Sequence, residues 1–117
     1  KQKTIRMSLF DFLFKKTSDA QNIERLTSDA FTKAIQKSNV QLIDVRTPDE
    51  CRSGHYKNAK NLNFFDGASF QKGIAALNKE AAVYVYCRSG NRSRSAASLL
   101  AKKGFVKIYD LKGGYVG

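Results

Sequence analysis

The sequence contains only two cysteines, Cys51 and Cys87, and no long apolar run. Two cysteines are too few for a disulfide scaffold, and they lack the paired spacing of a zinc site. No stretch approaches the ~20 apolar residues of a membrane-spanning helix. A disulfide-rich protein, a cysteine-ligated zinc domain and a helical membrane protein are therefore not expected. The chain starts at Lys1 rather than Met, which is compatible with a trimmed N-terminus, and the sequence does not decide between the cytoplasm and the periplasm.

Acidic residues are also scarce, because 10 Asp and Glu stand against 21 Lys and Arg, for a formal net charge of +11. A positive surface of this kind attracts anions and is compatible with nucleic acid or an acidic membrane face. The basic residues are, however, scattered along the chain and do not form a compact basic run or an aromatic-laced basic strand. We therefore predict no specific nucleic-acid partner.

Segments typical of strands and helices alternate from Asn22 onward, with no internal repeat or low-complexity linker. Such alternation in a chain of this length predicts one α/β domain with a mainly parallel sheet. The predicted strands cover 23–26, 40–45, 59–64, 82–86 and 106–111. The predicted helices begin after caps at Thr27 or Ser28, Thr47, Asp66 and near Ser93, and they end near Lys37, Gly54, Leu77 and Gly104. The second of these starts with a capping box, Thr47-Pro48-Asp49-Glu50.

The first 21 residues differ in character from the rest of the chain. Apolar side chains crowd together there and precede Lys15-Lys16: Leu9, Phe10, Phe12, Leu13 and Phe14. This pattern predicts an amphipathic extension over 1–21, before a domain over 22–117. Two interpretations stay open, namely a helix docked on the domain and a segment that contacts a membrane surface or another protein.

Cys87 is the residue with the most informative surroundings. It follows the predicted strand 82–86 and precedes the predicted helix by a short polar loop, Arg88-Ser89-Gly90-Asn91-Arg92-Ser93. A loop that bends from a strand into a helix directs backbone N–H groups and the positive end of the helix dipole inward, which favours thiolate over thiol. Because thiolate is the nucleophile, the sequence predicts sulfur chemistry at Cys87 with residues 88–93 as an anion-binding loop.

Four motifs in order resemble the rhodanese family, and together they span most of 22–117. They are LIDVRTPDE at 42–50, Ser53-Gly54-His55, YCRSGNRS at 86–93, and Gly104-Phe105 with DLKGG at 110–114. The resemblance implies a three-layer domain with helices on both faces of the sheet. It also implies a single-domain thiosulfate sulfurtransferase. We expect a monomer, and we expect no cofactor or metal.

The resemblance further implies roles for the loop residues. Cys87 is expected to take sulfane sulfur from thiosulfate or a related persulfide donor, hold it as a persulfide, and pass it to a thiol or cyanide. The expected donor-binding residues are Arg88, Ser89, Gly90, Asn91, Arg92 and Ser93, with Arg88 and Arg92 as candidates for the sulfonate of thiosulfate.

The chain departs from the family's pattern at three places. Tyr56-Lys57-Asn58 stands where the family usually has Pro-Gly, and Cys51 stands at a position that is commonly aromatic. The closing Gly-Gly, which the family commonly follows with tryptophan and another helix, is followed here by Tyr115-Val116-Gly117. We therefore expect a domain whose last helix is trimmed or lost.

Other polar residues receive structural interpretations. Asp44 and Arg46 could form an ion pair that shapes the active face, but a structural role is the favoured interpretation. His55 is interpreted as structural, because a thiolate already ionised by its loop needs no general base. Cys51 is expected to be an apolar filler and Arg94 a solvated surface charge.

Two alternative functions remain at this point. A cysteine-dependent phosphatase or arsenate reductase also uses a thiolate in an anion-binding loop, but it needs an arginine six positions after the cysteine, where this chain has Ser93. A non-catalytic rhodanese module would serve as a docking platform, although retention of Cys87 favours activity.

Overall fold

A five-stranded parallel sheet forms the centre of the molecule in the computed structural model, which describes residues 22–37 and 39–115. The strand order is β1-β5-β4-β2-β3, and every neighbouring pair is parallel. The strands are β1 Ile23–Leu26, β2 Gln41–Asp44, β3 Lys60–Asn61, β4 Val83–Tyr86 and β5 Ile108–Leu111. The described helices are α1 Ser28–Ala34, α2 Pro48–Arg52, α3 Gly67–Ala75 and α4 Asn91–Lys102. The predicted α/β class is confirmed, and the sheet is wholly parallel.

The two faces of the sheet carry separate apolar clusters, as expected for a three-layer domain. Val83 and Val85 of β4 point into a cluster with residues of α3 and α4, whereas Tyr84 and Tyr86 point into a cluster with Phe31 of α1. Successive side chains of a strand point to opposite faces, and both faces of β4 are covered by helices. All four residues of β4 are therefore buried, in agreement with its apolar sequence.

Local capping explains where the helices begin. Thr47 forms the predicted capping box, since its side chain accepts from the Glu50 backbone N–H while the Glu50 carboxylate accepts from the Thr47 backbone N–H. Asp66 caps α3 through a hydrogen bond from the Ser69 N–H. These side chains satisfy N–H groups that lack a partner in the first turn of a helix.

Several elements are shorter than predicted. Helix α1 ends at Ala34 rather than near Lys37, because the chain tightens into three-residue turns before Asn39 takes a φ of 64°. Strand β3 covers 60–61 instead of 59–64. Backbone hydrogen bonds to β2 nevertheless continue past its end, from the Leu62 N–H to the Asp44 carbonyl at 2.9 Å and from the Phe64 N–H to the Val45 carbonyl at 3.1 Å. The Asn61 side-chain amide adds bonds to the carbonyls of Asp44 and Arg46, at 3.0 and 2.8 Å.

The boundaries also shift around the last helix and the last strand. Helix α4 begins at Asn91 rather than Ser93, and β5 begins at Ile108 rather than Val106. The predicted extension over 1–21, with Leu9, Phe10, Phe12, Leu13 and Phe14, lies outside the described residues. Among the residues that are described, no helix is long and apolar enough to cross a membrane.

Candidate functional site

Cys87 lies directly after β4, at the edge of the sheet where the parallel strands end. Gly90 precedes α4 with a φ of +100°, a left-handed conformation that glycine adopts at low cost. This turn folds the chain back, so that the first turn of α4 faces the sulfur. The strand, the loop and the helix start therefore bring residues 87–93 into one compact loop, as the sequence predicts.

Two backbone N–H groups point at the sulfur. The Gly90 N–H donates to Cys87 Sγ at 3.0 Å and the Ser93 N–H donates to it at 3.3 Å. The thiol in turn lies 3.5 Å from Ser93 Oγ, which accepts its hydrogen. Both Cys87 and Ser93 are fully buried. Backbone donors held in this way favour negative charge on the sulfur without a metal ion.

The two backbone N–H groups between Gly90 and Ser93 have no acceptor among the described residues. Asn91 and Arg92 occupy the first two positions of α4, and neither backbone N–H donates to an acceptor within the described part of the chain. Such groups are unsatisfied at the start of every helix, and they are a general means of binding anions. The loop therefore has donors left for an anion bound next to the sulfur.

The arginines of the loop have different environments. Arg92 donates to both carboxylate oxygens of Glu50, at 2.7 and 3.0 Å, and its guanidinium lies 5.0 Å from the ring centre of the exposed Phe65. Arg92 lowers the pKa of Glu50 to about 2. Arg88 and Arg94 are exposed, and neither has a carboxylate partner among residues 22–37 and 39–115. Of the two arginines proposed for the sulfonate, Arg88 is thus the one without an ion-pair partner.

The closing turn lies against the outer side of the loop. The Tyr115 N–H donates to the Cys87 carbonyl at 2.7 Å. A side chain on Gly114 would stand 2.0 Å from the Arg88 carbonyl oxygen. The glycine pair at 113–114 therefore permits a backbone-to-backbone approach that fixes the position of the loop.

A buried polar network supports the loop from the neighbouring strand. Arg46 donates to both oxygens of Asp44, at 2.9 and 2.7 Å, and to the Gly54 carbonyl at 2.7 Å. The Tyr86 hydroxyl donates to the same Asp44 carboxylate at 2.9 Å, and burial together with this carboxylate raises the pKa of Tyr86. The Arg46 guanidinium also stacks 4.6 Å from the Tyr115 ring centre. The predicted ion pair between Asp44 and Arg46 is present, and it ties the strand end to the closing turn.

The remaining residues singled out from the sequence lie away from the sulfur contacts. His55 is exposed, with Nδ1 2.9 Å from the Tyr56 carbonyl. Cys51 is half-buried and has a free thiol, and burial raises the pKa of that thiol. Among the described residues no group of three or more metal-binding side chains is close enough to hold an ion.

Sequence reasoning missed two carboxylates next to this loop. Glu50 was assigned only to the capping box, although it also holds Arg92, which is 42 residues away in the chain. Asp110 lies fully buried in β5, with its carboxylate 3.3 Å from Arg25 Nε. Asp110 could have been noticed from the sequence, because it is a charged residue among the apolar residues of the predicted strand 106–111.

Comparison with known proteins agrees with this fold. The family model of the rhodanese-like domain matches residues 27–117. The chain is 36% identical to the uncharacterized protein YqhL of Bacillus subtilis (strain 168), over 80% of this chain and 70% of that protein. It is 31% identical to the thiosulfate sulfurtransferase GlpE of Pseudomonas aeruginosa (strain LESB58), over 71% of this chain and 73% of that protein.

Two further proteins are similar to the chain. The chain is 34% identical to the tRNA uridine(34) hydroxylase of Aster yellows witches'-broom phytoplasma (strain AYWB), but it spans only 30% of that protein's length. The crystal structure of a rhodanese-like domain protein from Staphylococcus aureus superposes with a TM-score of 0.66 at 27% identity, over 78% of this chain and 86% of that one. With a family match over most of its length and relatives at this level of identity, the chain belongs to the rhodanese-like domain family.

Proposed function

We propose that the protein is a sulfurtransferase that carries sulfane sulfur as a persulfide on Cys87. The observation that supports this proposal most directly is the pair of backbone N–H groups, from Gly90 and Ser93, that point at Sγ. A sulfur atom held by main-chain donors is stabilised as an anion, both as a thiolate and as the leaving group of a persulfide. The similarity to a thiosulfate sulfurtransferase, which covers 71% of this chain and 73% of that protein, adds independent support.

In the first half-reaction, the Cys87 thiolate attacks the outer sulfur of thiosulfate. A sulfur–sulfur bond forms to Sγ, the sulfur–sulfur bond of thiosulfate breaks, and sulfite leaves with the electron pair. The terminal sulfur of the resulting persulfide carries the negative charge. The free N–H groups of Asn91 and Arg92 are the donors that this charge would meet.

In the second half-reaction, a nucleophile attacks the terminal sulfur of the persulfide. Cyanide yields thiocyanate and a thiol yields a new persulfide, and in both cases Cys87 leaves as the thiolate. The Gly90 and Ser93 N–H groups stabilise that leaving thiolate. The same contacts therefore assist both half-reactions, and no external oxidant is needed.

Arg88 is the proposed anchor for the sulfonate of thiosulfate. Its side chain is exposed at the rim of the loop, whereas the Arg92 guanidinium already has both oxygens of Glu50 as partners. Cys87 is fully buried, so access of a donor to the sulfur requires a movement in the structure around it. We propose that binding of the sulfonate by Arg88 accompanies this movement.

The decisive experiment compares the two cysteines. After incubation with thiosulfate, intact-protein mass spectrometry is expected to show the addition of one sulfur atom to the wild-type protein. Cys87→Ser is expected to abolish this adduct and the formation of thiocyanate from cyanide. Cys51→Ser is the matched control and is expected to retain both. Thiocyanate formation by Cys87→Ser at the wild-type rate would refute the proposal.

The role of Arg88 is tested by steady-state kinetics with thiosulfate. Arg88→Ala is expected to raise KM more than it lowers kcat, because the lost attraction acts on the bound anion before and during the reaction. Arg94→Ala is the matched control, because it removes a different exposed arginine, one that lies in α4 and not in the loop before it. A loss confined to kcat in Arg88→Ala would contradict the anchoring role.

Release of phosphate from an aryl phosphate would favour phosphatase chemistry instead.

A further inference from the structure

Phe65 is a large apolar residue that is exposed to solvent near the loop. It is 68% exposed, whereas the preceding Phe64 packs edge-to-face on Phe70, with ring centres 5.2 Å apart, against the apolar cluster that contains Cys87. A single exposed aromatic residue is ordinary on a protein surface. Its position and its contacts therefore decide whether it has a role.

Hydrogen bonds across the sheet place Phe65 at the same edge as the sulfur. The Val45 N–H donates to the Tyr86 carbonyl at 3.0 Å, and the Val45 carbonyl accepts from the Phe64 N–H at 3.1 Å. Phe65 and Cys87 are the next residues on either side of Val45, at the edge where the parallel strands end. Their backbones are two strand spacings apart, which is roughly 10 Å. A ligand bound at Cys87 that extends a few atoms in this direction can contact the Phe65 ring.

Phe65 is held in place through both its backbone and its ring. Its N–H donates to Asn63 Oδ1 at 3.0 Å, and the Asp66 N–H donates to the Asn63 carbonyl at 3.1 Å, so Phe65 lies in a tight turn before α3. The Arg92 guanidinium lies over the ring at 5.0 Å from its centre, and both oxygens of Glu50 hold that guanidinium. The ring is thus positioned before any ligand binds, which lowers the entropic cost of a contact with its exposed part.

The ring suits only one of the reactants in the proposed scheme. Thiosulfate and cyanide are anions without an apolar group, and the face of an aromatic ring carries partial negative charge, so neither gains from packing on it. A thiol acceptor can carry an apolar group, and contact between that group and the ring removes both from water. The exposed ring therefore favours acceptors with an apolar group close to the thiol.

We propose that Phe65 is a specificity-determining residue that selects a small thiol with an apolar group as the acceptor of the sulfane sulfur. The inference rests on the proposed function and extends it to the second half-reaction. The acceptor thiol releases its proton to solvent, and its sulfur attacks the terminal sulfur of the Cys87 persulfide while its apolar group packs on the Phe65 ring. The bond from Sγ to the terminal sulfur breaks, Cys87 leaves with the electron pair, and the acceptor departs as a new persulfide.

The first test compares 2-phenylethanethiol with 2-mercaptoethanol as acceptors for the persulfide form of the protein. Mass spectrometry follows the loss of one sulfur atom from the protein. Phe65→Ala is expected to lower the rate constant with 2-phenylethanethiol by about three- to tenfold, because a contact between two aromatic groups is lost. The rate constants with 2-mercaptoethanol and with cyanide are expected to stay at their wild-type values. A merely structural role of Phe65 would change all three rate constants together.

Two further variants are controls for this test. Phe65→Tyr keeps the aromatic ring and is expected to retain the preference for 2-phenylethanethiol. Val106→Ala removes the other exposed large apolar side chain of the described residues, which is 46% exposed and lies before β5 at the edge where the strands begin. It is expected to leave all rate constants unchanged. A wild-type ratio of the two thiol rates in Phe65→Ala would overturn the proposal, and so would an equal fall of that ratio in Val106→Ala.

Alkylation of Cys87 tests the contact without sulfur transfer. N-benzyl-iodoacetamide and iodoacetamide react with the thiolate by the same chemistry and differ by an aromatic group, so the ratio of their rates at one pH does not depend on the thiolate fraction. We expect Phe65→Ala to lower this ratio by about three- to tenfold. An unchanged ratio would overturn the proposal, and so would a higher one, which would show that the ring blocks entry.

The two tests separate failure of the inference from failure of the proposed function. If the alkylation ratio falls in Phe65→Ala while thiosulfate adds no sulfur to the wild-type protein, the apolar contact at Phe65 stands and the sulfurtransferase proposal fails. If sulfur is added to Cys87 and passed on while both ratios in Phe65→Ala equal the wild-type values, the sulfurtransferase proposal stands and the role of Phe65 is refuted.

Discussion

Gly114 provides the sharpest test of how the closing turn supports the loop. Its φ is +87°, and a Cβ built on it would stand 2.0 Å from the Arg88 carbonyl oxygen and 2.7 Å from the Ser89 nitrogen. Both atoms belong to the backbone, so no side chain can rotate out of the way. An alanine in the left-handed region costs about 1–2 kcal/mol. Displacing packed backbone adds about 1–3 kcal/mol, which gives a total of about 2–5 kcal/mol for Gly114→Ala.

Gly113 is the matched control for this substitution. Its φ of +77° is also positive, but a Cβ there would meet nothing within 4 Å. Gly113→Ala therefore carries only the conformational cost, about 1–2 kcal/mol. The difference between the two neighbouring alanine variants isolates the close approach of the turn to the loop.

Urea unfolding of both variants measures the two costs as free energies of unfolding. The alkylation rate of Cys87 in the folded proteins then reports whether the loop has moved. We expect Gly114→Ala to lose about 1–3 kcal/mol more than Gly113→Ala and to change the alkylation rate, because Arg88 and Ser89 must shift. Equal losses in the two variants, with unchanged alkylation, would show that the turn does not fix the loop.

Three further predictions concern charge, hydrogen bonding and access. Because Arg92 lowers the pKa of Glu50 from 4.5 to about 2, the stability from this pair is complete above pH 4.5 and is lost as the pH falls towards 2. The free energy of unfolding, measured with urea between pH 2 and 6, should therefore depend less on pH in Glu50→Gln than in the wild-type protein. The same pH dependence in both proteins would contradict the pairing. Tyr86→Phe removes a hydrogen bond to the buried Asp44 carboxylate and should cost about 1–3 kcal/mol in urea unfolding, whereas a neutral result would mean that Arg46 alone satisfies Asp44. Since Cys87 is fully buried, it should react much more slowly with a bulky maleimide than with the smaller iodoacetamide, once each rate is divided by the rate of the same reagent with a small free thiol. Equal normalised rates for the two reagents would indicate an open site.

The parts of the fold that could be predicted are those that depend on neighbouring residues. The apolar run 82–86 marks a strand covered on both faces, and the capping box at Thr47 marks a helix start; the structure has both. The turn at Gly90 and the position of Cys87 after a strand likewise follow from the local sequence. Each of these features is determined by residues within a few positions of one another, so the pattern alone contains the necessary information.

The parts that could not be predicted depend on contacts between distant residues. The Asn61 side chain bonds to the carbonyls of Asp44 and Arg46 across the sheet, and no local pattern indicates which carbonyls an asparagine will meet. The ion pair of Arg25 with the buried Asp110 joins two strands that are far apart in the chain and adjacent in the sheet. Such pairs become visible only once the strand order is known.

Arg92 shows why this distinction matters for the site. In the sequence Arg88 and Arg92 are equivalent sources of positive charge beside Cys87. In the structure Glu50 offsets the charge of Arg92 at 2.7 Å, whereas the exposed Arg88 has no carboxylate partner among the described residues. Because Glu50 takes up the Arg92 guanidinium, the direct hydrogen bonds to the sulfur come from the N–H groups of Gly90 and Ser93. Under the proposed function, attraction for an anionic donor would then rest with Arg88 and the positive surface, which would separate binding of the donor from activation of the sulfur.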